Sequence, residues 1–268
     1  GKTLTIRQIL LLDFPGEPEY LESVQEELFD RGPWVSYNGK AFDSRLLETR
    51  FLMNGLPVEL PEQLDLLFWS RRLWRRLIGP CSLEDIELKV LGIDRGEDIP
   101  GYEIPERYFH FLRSGDAAAL NDVFIHHRQD IVSLVRLYLC LEGILKRSAG
   151  GLLRGDGEVG CDSDMRFDRF SLGRYLLVRE GSGERLLRQV VDAPNADEPP
   201  DVREAAGLLL AASYRRREGY AEAVELWERL WTDGSVAAGI ELAKFYEHRA
   251  RDFSRAATIA EEMLAGAE

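Results

Sequence analysis

The chain has 268 residues with 34 Lys+Arg against 47 Asp+Glu, a formal net charge of −13, and is 45% hydrophobic and 30% charged. That length suits two domains of about 100–200 residues, the composition is globular and not that of a disordered chain, and no apolar run nears the ~20 residues that span a bilayer. The acidic balance excludes a general nucleic-acid sponge, so contact with nucleic acid requires a local basic patch. Three widely spaced cysteines, Cys81, Cys140 and Cys161, give neither a disulfide framework nor a metal-knuckle spacing, which points to a reducing, cytoplasmic setting.

In chain order, residues 3–12 alternate and then run apolar, which predicts a strand. Tyr20, Leu21, Val24 and Leu28 fall at helical spacing within residues 17–30, ahead of the Gly32-Pro33 break. Trp34–Tyr37 reads as a short strand, Asn38-Gly39 as a turn, and residues from about Phe42 to Met53 as a helix. A further extended piece should contain Leu64-Asp65-Leu66 and run into an Arg-rich helix. Ser82 and Asp85 have the spacing of a capping box. Pro100-Gly101 and Pro105 break the chain before a helix through Tyr108–Leu112, and a long helix is expected from about Ala117 to Lys146. Strands alternating with helices predict an α/β domain over residues 1–147.

The Gly- and Asp-rich stretch over residues 148–164 reads as a linker, and residues 165–268 as entirely helical. Ala223 and Ala256 lie 33 residues apart, each with an aromatic upstream, Tyr220 and Phe253. That spacing is close to the ~34-residue tetratricopeptide period, in which small residues let paired helices approach. The expectation is an all-α, tetratricopeptide-like solenoid able to bind a protein partner, against a plain helical bundle. Trp227, Trp231 and Tyr246 fit the core of such a unit better than a peptide groove.

Two stretches carry candidate chemistry. In WVSYNGKAFD, Asp43 and Phe42 come at the carboxyl end of a strand, where open α/β sheets place ligands; Asp43 could equally cap the helix that follows. In VFIHHRQDIVSL, His126 and Asp130 are four apart on one helix face. Among apolar neighbours an acid needs a partner, so the two could be a satisfied structural pair or part of a site. Arg71, Arg72, Arg75 and Arg76, interleaved with Trp69 and Trp74, suit either phosphate contacts with base stacking or a solvated helix face.

Asn38-x3-Phe42-Asp43 resembles the second motif of the DnaQ-like (DEDD) 3′–5′ exonucleases of the ribonuclease H fold, and His126-x3-Asp130 resembles their third. YNGKAFDSRLLETR, LDLLFWSRRLW, LEDIELKVLG, EDIPGYEIPERYFHFL and HHRQDIVSL are similar, in order, to the YprB-like ribonuclease H-fold domain. The resemblance implies two divalent metals, Mg²⁺ or Mn²⁺, about 3.5–4 Å apart. Asp43 and Asp130 would be two of four carboxylate ligands and His126 the catalytic base. Asn38, Phe42 and Arg128 would contact the substrate, a single-stranded nucleic-acid end, with offsetting the carboxylates as the alternative for Arg128, which lies beside Asp130. Asp65 would stand beside the metals or cap the helix after it.

The third motif departs from the usual Tyr-x3-Asp or His-x4-Asp. The first, Asp-x-Glu on an opening strand, has no counterpart. In the family order residues 3–12 are similar to the third strand, so the first two strands are expected to be missing and the chain to be a fragment, with a natural degenerate homologue as the alternative. The function expected is a metal-dependent 3′–5′ exonuclease, inactive in the chain as it stands. The alternative is an inactive scaffold that binds nucleic acid or protein through its helical repeats.

Overall fold

The structure is a computed structural model that describes residues 3–148, 166–194 and 197–265. The expected linker, apart from Ser148, and Cys161 lie outside the described residues. Two compact units are present: residues 3–147 with 166 and 167, and residues 148 and 168–265. No helix among the described residues is long and apolar enough to cross a membrane.

The first unit is built on a two-stranded parallel sheet. Helix α1 (Glu17–Leu28) precedes β1 (Trp34–Ser36), α2 (Asp43–Met53) and β2 (Gln63–Asp65), and β2 runs directly into α3 (Leu66–Ile78). The register pairs Trp34 with Gln63 and Ser36 with Asp65. Trp34–Ser36 therefore has β2 as its sheet neighbour. Then come α4 (Leu83–Ile86), prolonged by a wide turn over Glu87–Leu91, α5 (Ile104–Ser114) and the long α6 (Asn121–Ser148).

Ser82 caps α4 with both arms of the capping box formed. Leu21, Phe51, Leu73, Trp74 and Leu137 are fully buried, and Phe29 packs edge-on against Trp34 and tilted against Phe51. Glu17, itself buried, is paired with Arg50 and accepts from Asn54, which ties α1 to α2.

Residues 3–12 do not form the expected strand. Alternation gives a strand only where another strand offers a ladder, and this segment is held by side chains instead. Gln8 donates to the Phe124 carbonyl at 3.0 Å, and Tyr108 donates to the Leu11 carbonyl at 2.9 Å. Of the three cysteines, Cys81 is a buried free thiol, Cys140 is buried on α6, and Cys161 lies outside the described residues.

The second unit has α7 (Arg169–Glu180), α8 (Glu184–Val191), α9 (Pro200–Arg216), α10 (Tyr220–Thr232), α11 (Val236–Phe245) and α12 (Phe253–Ala265). Each packs on the next in sequence. Leu187, Leu210, Ala223, Trp227, Leu242 and Tyr246 form its core, with Trp231 and Ala256 packed against them, so the aromatic positions serve packing. Asp168 caps α7 by accepting from the Ser171 amide at 2.9 Å, and Ser235 caps α11.

The turn between α7 and α8 depends on Gly183, whose φ is +98° and where a Cβ would sit 2.4 Å from the Gly173 carbonyl oxygen. Gly183→Ala is expected to lower stability by roughly 1–3 kcal/mol, read from the midpoint and slope of urea unfolding.

Candidate functional site

The loop from β1 to α2 is set by the carboxylate of Asp65 at the end of β2. It accepts from the Asn38 amide at 2.8 Å, the Lys40 amide at 3.2 Å and the Leu67 amide at 3.1 Å. One side chain thus caps α3 and fixes the turn that carries the second motif. Asn38 takes a left-handed φ of 63°, a conformation that asparagine tolerates better than most residues. Gly39 is buried, and a Cβ there would lie 2.6 Å from the Ser36 Cβ, so only hydrogen fits.

This turn places Phe42 and Asp43 at the start of α2. Phe42 is the N-cap residue, with no side-chain cap, and its ring is 64% exposed. Asp43 is in the first turn and does not cap the helix. Its packed surroundings raise its carboxyl above the ordinary value, and the nearby charge of Asp65 adds to this, against an opposing bond from its own backbone.

The second cluster is centred on Arg95, in the loop between the wide turn and α5. Its Nε and Nη2 donate to Glu87 at 2.7 and 2.6 Å. Nη1 donates to Asp98 at 2.9 Å, and Nη2 also reaches Asp130 on α6. His126 places Nδ1 2.8 Å from Asp98 and Nε2 3.5 Å from Asp130. Glu87 is 1% exposed and Arg95 12%, so these charges are largely removed from water. Burial opposes charge on Arg95, but its bonds to Glu87, Asp130 and Asp98 hold the guanidinium protonated more firmly than usual. Burial likewise opposes the charge on Asp98, yet the bonds from Arg95 and His126 prevail and leave its carboxyl below the ordinary range.

His126 and Asp130 are therefore together as their spacing implies, and both line a cavity of about 420 Å³. Asp43 and Asn38 do not line it. Arg128 is exposed on α6; the cation that offsets Asp130 is Arg95, which sequence reasoning missed. Its available signal was the dense charge in IDRGEDIPG, which reads as a solvated loop because no spacing rule connects residue 95 to residues 87 and 130.

Among the described residues, no group of three or more His, Cys, Asp or Glu side chains could hold a metal ion. Beside Asp130 the place of a cation is taken by the Arg95 guanidinium. The described donors therefore do not fit the expected two-metal centre.

A family model described as the RNase_H superfamily matches residues 1–141. The uncharacterized protein YprB of Bacillus subtilis (strain 168) is 31% identical over 275 residues, an alignment that covers 98% of this chain and 62% of that protein. The chain thus spans less than two thirds of the length of the curated relative it matches. No solved structure matches. The chain belongs to the ribonuclease H superfamily, with a YprB-like ribonuclease H-fold domain. Nuclease-like function is what this membership suggests, and divalent metals are typical of the superfamily.

Arg95→Met leaves the buried Glu87 without its cation and removes the guanidinium from the half-buried Asp98, and is expected to cost about 3–5 kcal/mol in urea unfolding. Because the folded pKa of Asp98 is depressed, its contribution is present above its ordinary value and lost as pH falls through the folded one. Asp98→Asn should therefore flatten the acid limb of a stability–pH profile below about pH 4, with little change in its shape at higher pH.

Proposed function

We propose that the first unit is the nuclease portion of a 3′–5′ exonuclease-type protein that hydrolyses phosphodiesters at single-stranded nucleic-acid ends, and that these 268 residues do not turn substrate over by themselves. The reading rests on one observation above all: His126 and Asp130 face each other on α6 at a cavity, in a chain of the ribonuclease H superfamily. Imidazole is the side chain that exchanges a proton near neutral pH, and here two carboxylates orient it. We assign His126 to positioning or deprotonating water, and Asp43 and Asp130 as the carboxylates of the site. The Mg²⁺ or Mn²⁺ that the superfamily uses requires donors beyond those described. Asn38, the exposed Phe42 ring and Arg128 are assigned to the substrate, Phe42 as a stacking surface. The second unit is read as a tetratricopeptide-like solenoid for a protein partner, supported by its successive packing and the buried Ala223.

A second reading is favoured by the Arg95–Asp130 contact: a nucleic-acid- or protein-binding scaffold whose carboxylates are neutralised internally. Release of labelled nucleotide from single-stranded DNA or RNA with Mn²⁺ separates the two. The 268-residue chain is expected to release none above background. The full reading frame that encodes it, whatever its length, is expected to release label stepwise from the 3′ end, with Asp130→Asn and Asp43→Asn each abolishing release. A full frame that binds the strand without cleaving it supports the scaffold. Activity of the 268-residue chain itself, lost in Asp130→Asn, overturns the claim that its carboxylate set is incomplete.

A further inference from the structure

A second cavity, of about 800 Å³, lies at the amino-terminal side of α4 and is lined by Tyr37, Asn38, Arg71, Arg75, Cys81 and Ser82 among others. Arg71 and Arg75 are one turn apart on α3, both exposed, and i, i+4 spacing places them on the same face. Among the described residues neither side chain makes a hydrogen bond or an ion pair. Most arginines of this unit with a described contact are tied to carboxylates: Arg50 to Glu17, Arg95 to Glu87, Arg107 to Glu103 and Asp122. Among the described residues, no acidic one lines this cavity.

The contrast with its neighbour is sharp. The Arg95 cavity is lined by five carboxylates, Glu84, Glu87, Asp94, Asp98 and Asp130, and Leu83 belongs to the walls of both. In a chain of net charge −13, two guanidinium groups with no acid among the described residues of their cavity form the kind of local basic patch that contact with nucleic acid requires. The cavity also has neutral polar walls. The Tyr37 hydroxyl donates to the Cys81 carbonyl at 2.7 Å, and burial raises its phenol above the ordinary value, so it stays an uncharged donor. Asn38 is the turn residue fixed by Asp65. Guanidinium groups match phosphate oxygens in geometry as well as in charge.

We infer that the cavity between α3 and the 79–83 segment is a binding site for the phosphodiester backbone of a single-stranded nucleic acid, with Arg71 and Arg75 as its phosphate contacts. The identity of the ligand rests on the nucleic-acid reading above, while the site itself does not require catalysis. A strand held there by its phosphates would run past Asn38, and Leu83 stands between this cavity and the acid-lined one.

Fluorescence anisotropy with a dye-labelled oligothymidylate, in EDTA so that no cleavage intervenes, tests the site in the full 268-residue chain. Arg71→Ala/Arg75→Ala is expected to weaken binding about tenfold at low salt and to flatten the slope of log K against log[salt] by about 1.4, ~0.7 for each lost contact. Arg113→Ala/Arg136→Ala removes the same charge from exposed positions of the same unit and should change neither. If the alanine pair fails to fold, as judged by circular dichroism, Arg71→Gln and Arg75→Gln singly should each remove about half of that slope change.

Unchanged affinity and slope in the cavity variants overturn the inference, as do an equal loss in the control pair and an absence of binding by the wild-type chain. A chain that binds through these arginines but whose full reading frame never cleaves contradicts the nuclease reading alone. Stepwise cleavage with binding indifferent to both arginines contradicts this site alone.

Discussion

The charge balance around Arg95 is the constraint on which the first unit depends. Glu87 from the wide turn after α4, Asp98 from the following loop and Asp130 from α6 all converge on one guanidinium. Burying a carboxylate as deeply as Glu87 is tolerable only with a cation in bidentate contact. Because the three acids come from three segments, satisfying Arg95 also fixes how those segments pack. The same arrangement orients His126, whose two ring nitrogens face Asp98 and Asp130. The pair that resembles a catalytic motif is therefore held by an interaction that also opposes a second cation there.

Asp65 plays the corresponding part at the sheet. It ends the strand that pairs with β1, caps α3 and accepts from the turn that carries Asn38 and Lys40. The positions of Asn38, of Asp43 on α2 and of Arg71 and Arg75 on α3 all follow from that carboxylate. Two candidate surfaces of opposite charge, the arginine-lined cavity and the acid-lined one, are in this way built on one small parallel pairing and the helices that leave it.

Much of the architecture was legible because it is local. The apolar spacing before Gly32-Pro33, the Ser82–Asp85 box and the capping role of Asp65 all rest on contacts within a few residues. The four-residue step from His126 to Asp130 was readable for the same reason. Residues 3–12 misled because alternation says which side chains share a face, not whether a neighbouring strand exists. Arg95 was invisible because its partners lie 8 and 35 residues away and a charged loop looks the same whether solvated or buried. The arginines of α3 left two readings open, since sequence cannot tell which are matched by acids.

The sequence distance over which each unit closes its contacts has a consequence for how the chain is made. In the second unit every helix packs on its immediate successor, so contacts form between residues close in sequence, a topology that folds rapidly and can build up during synthesis. The first unit must join Gln8 to Phe124 and His127, 116 and 119 positions apart, and Tyr108 to Leu11, 97 apart. Its amino-terminal segment, with exposed Leu4, Ile9 and Leu12, leaves the ribosome long before α6 is available to receive it. At about 5–20 residues per second, that interval lasts several seconds, and over it this segment lacks the partners that hold it in the folded unit.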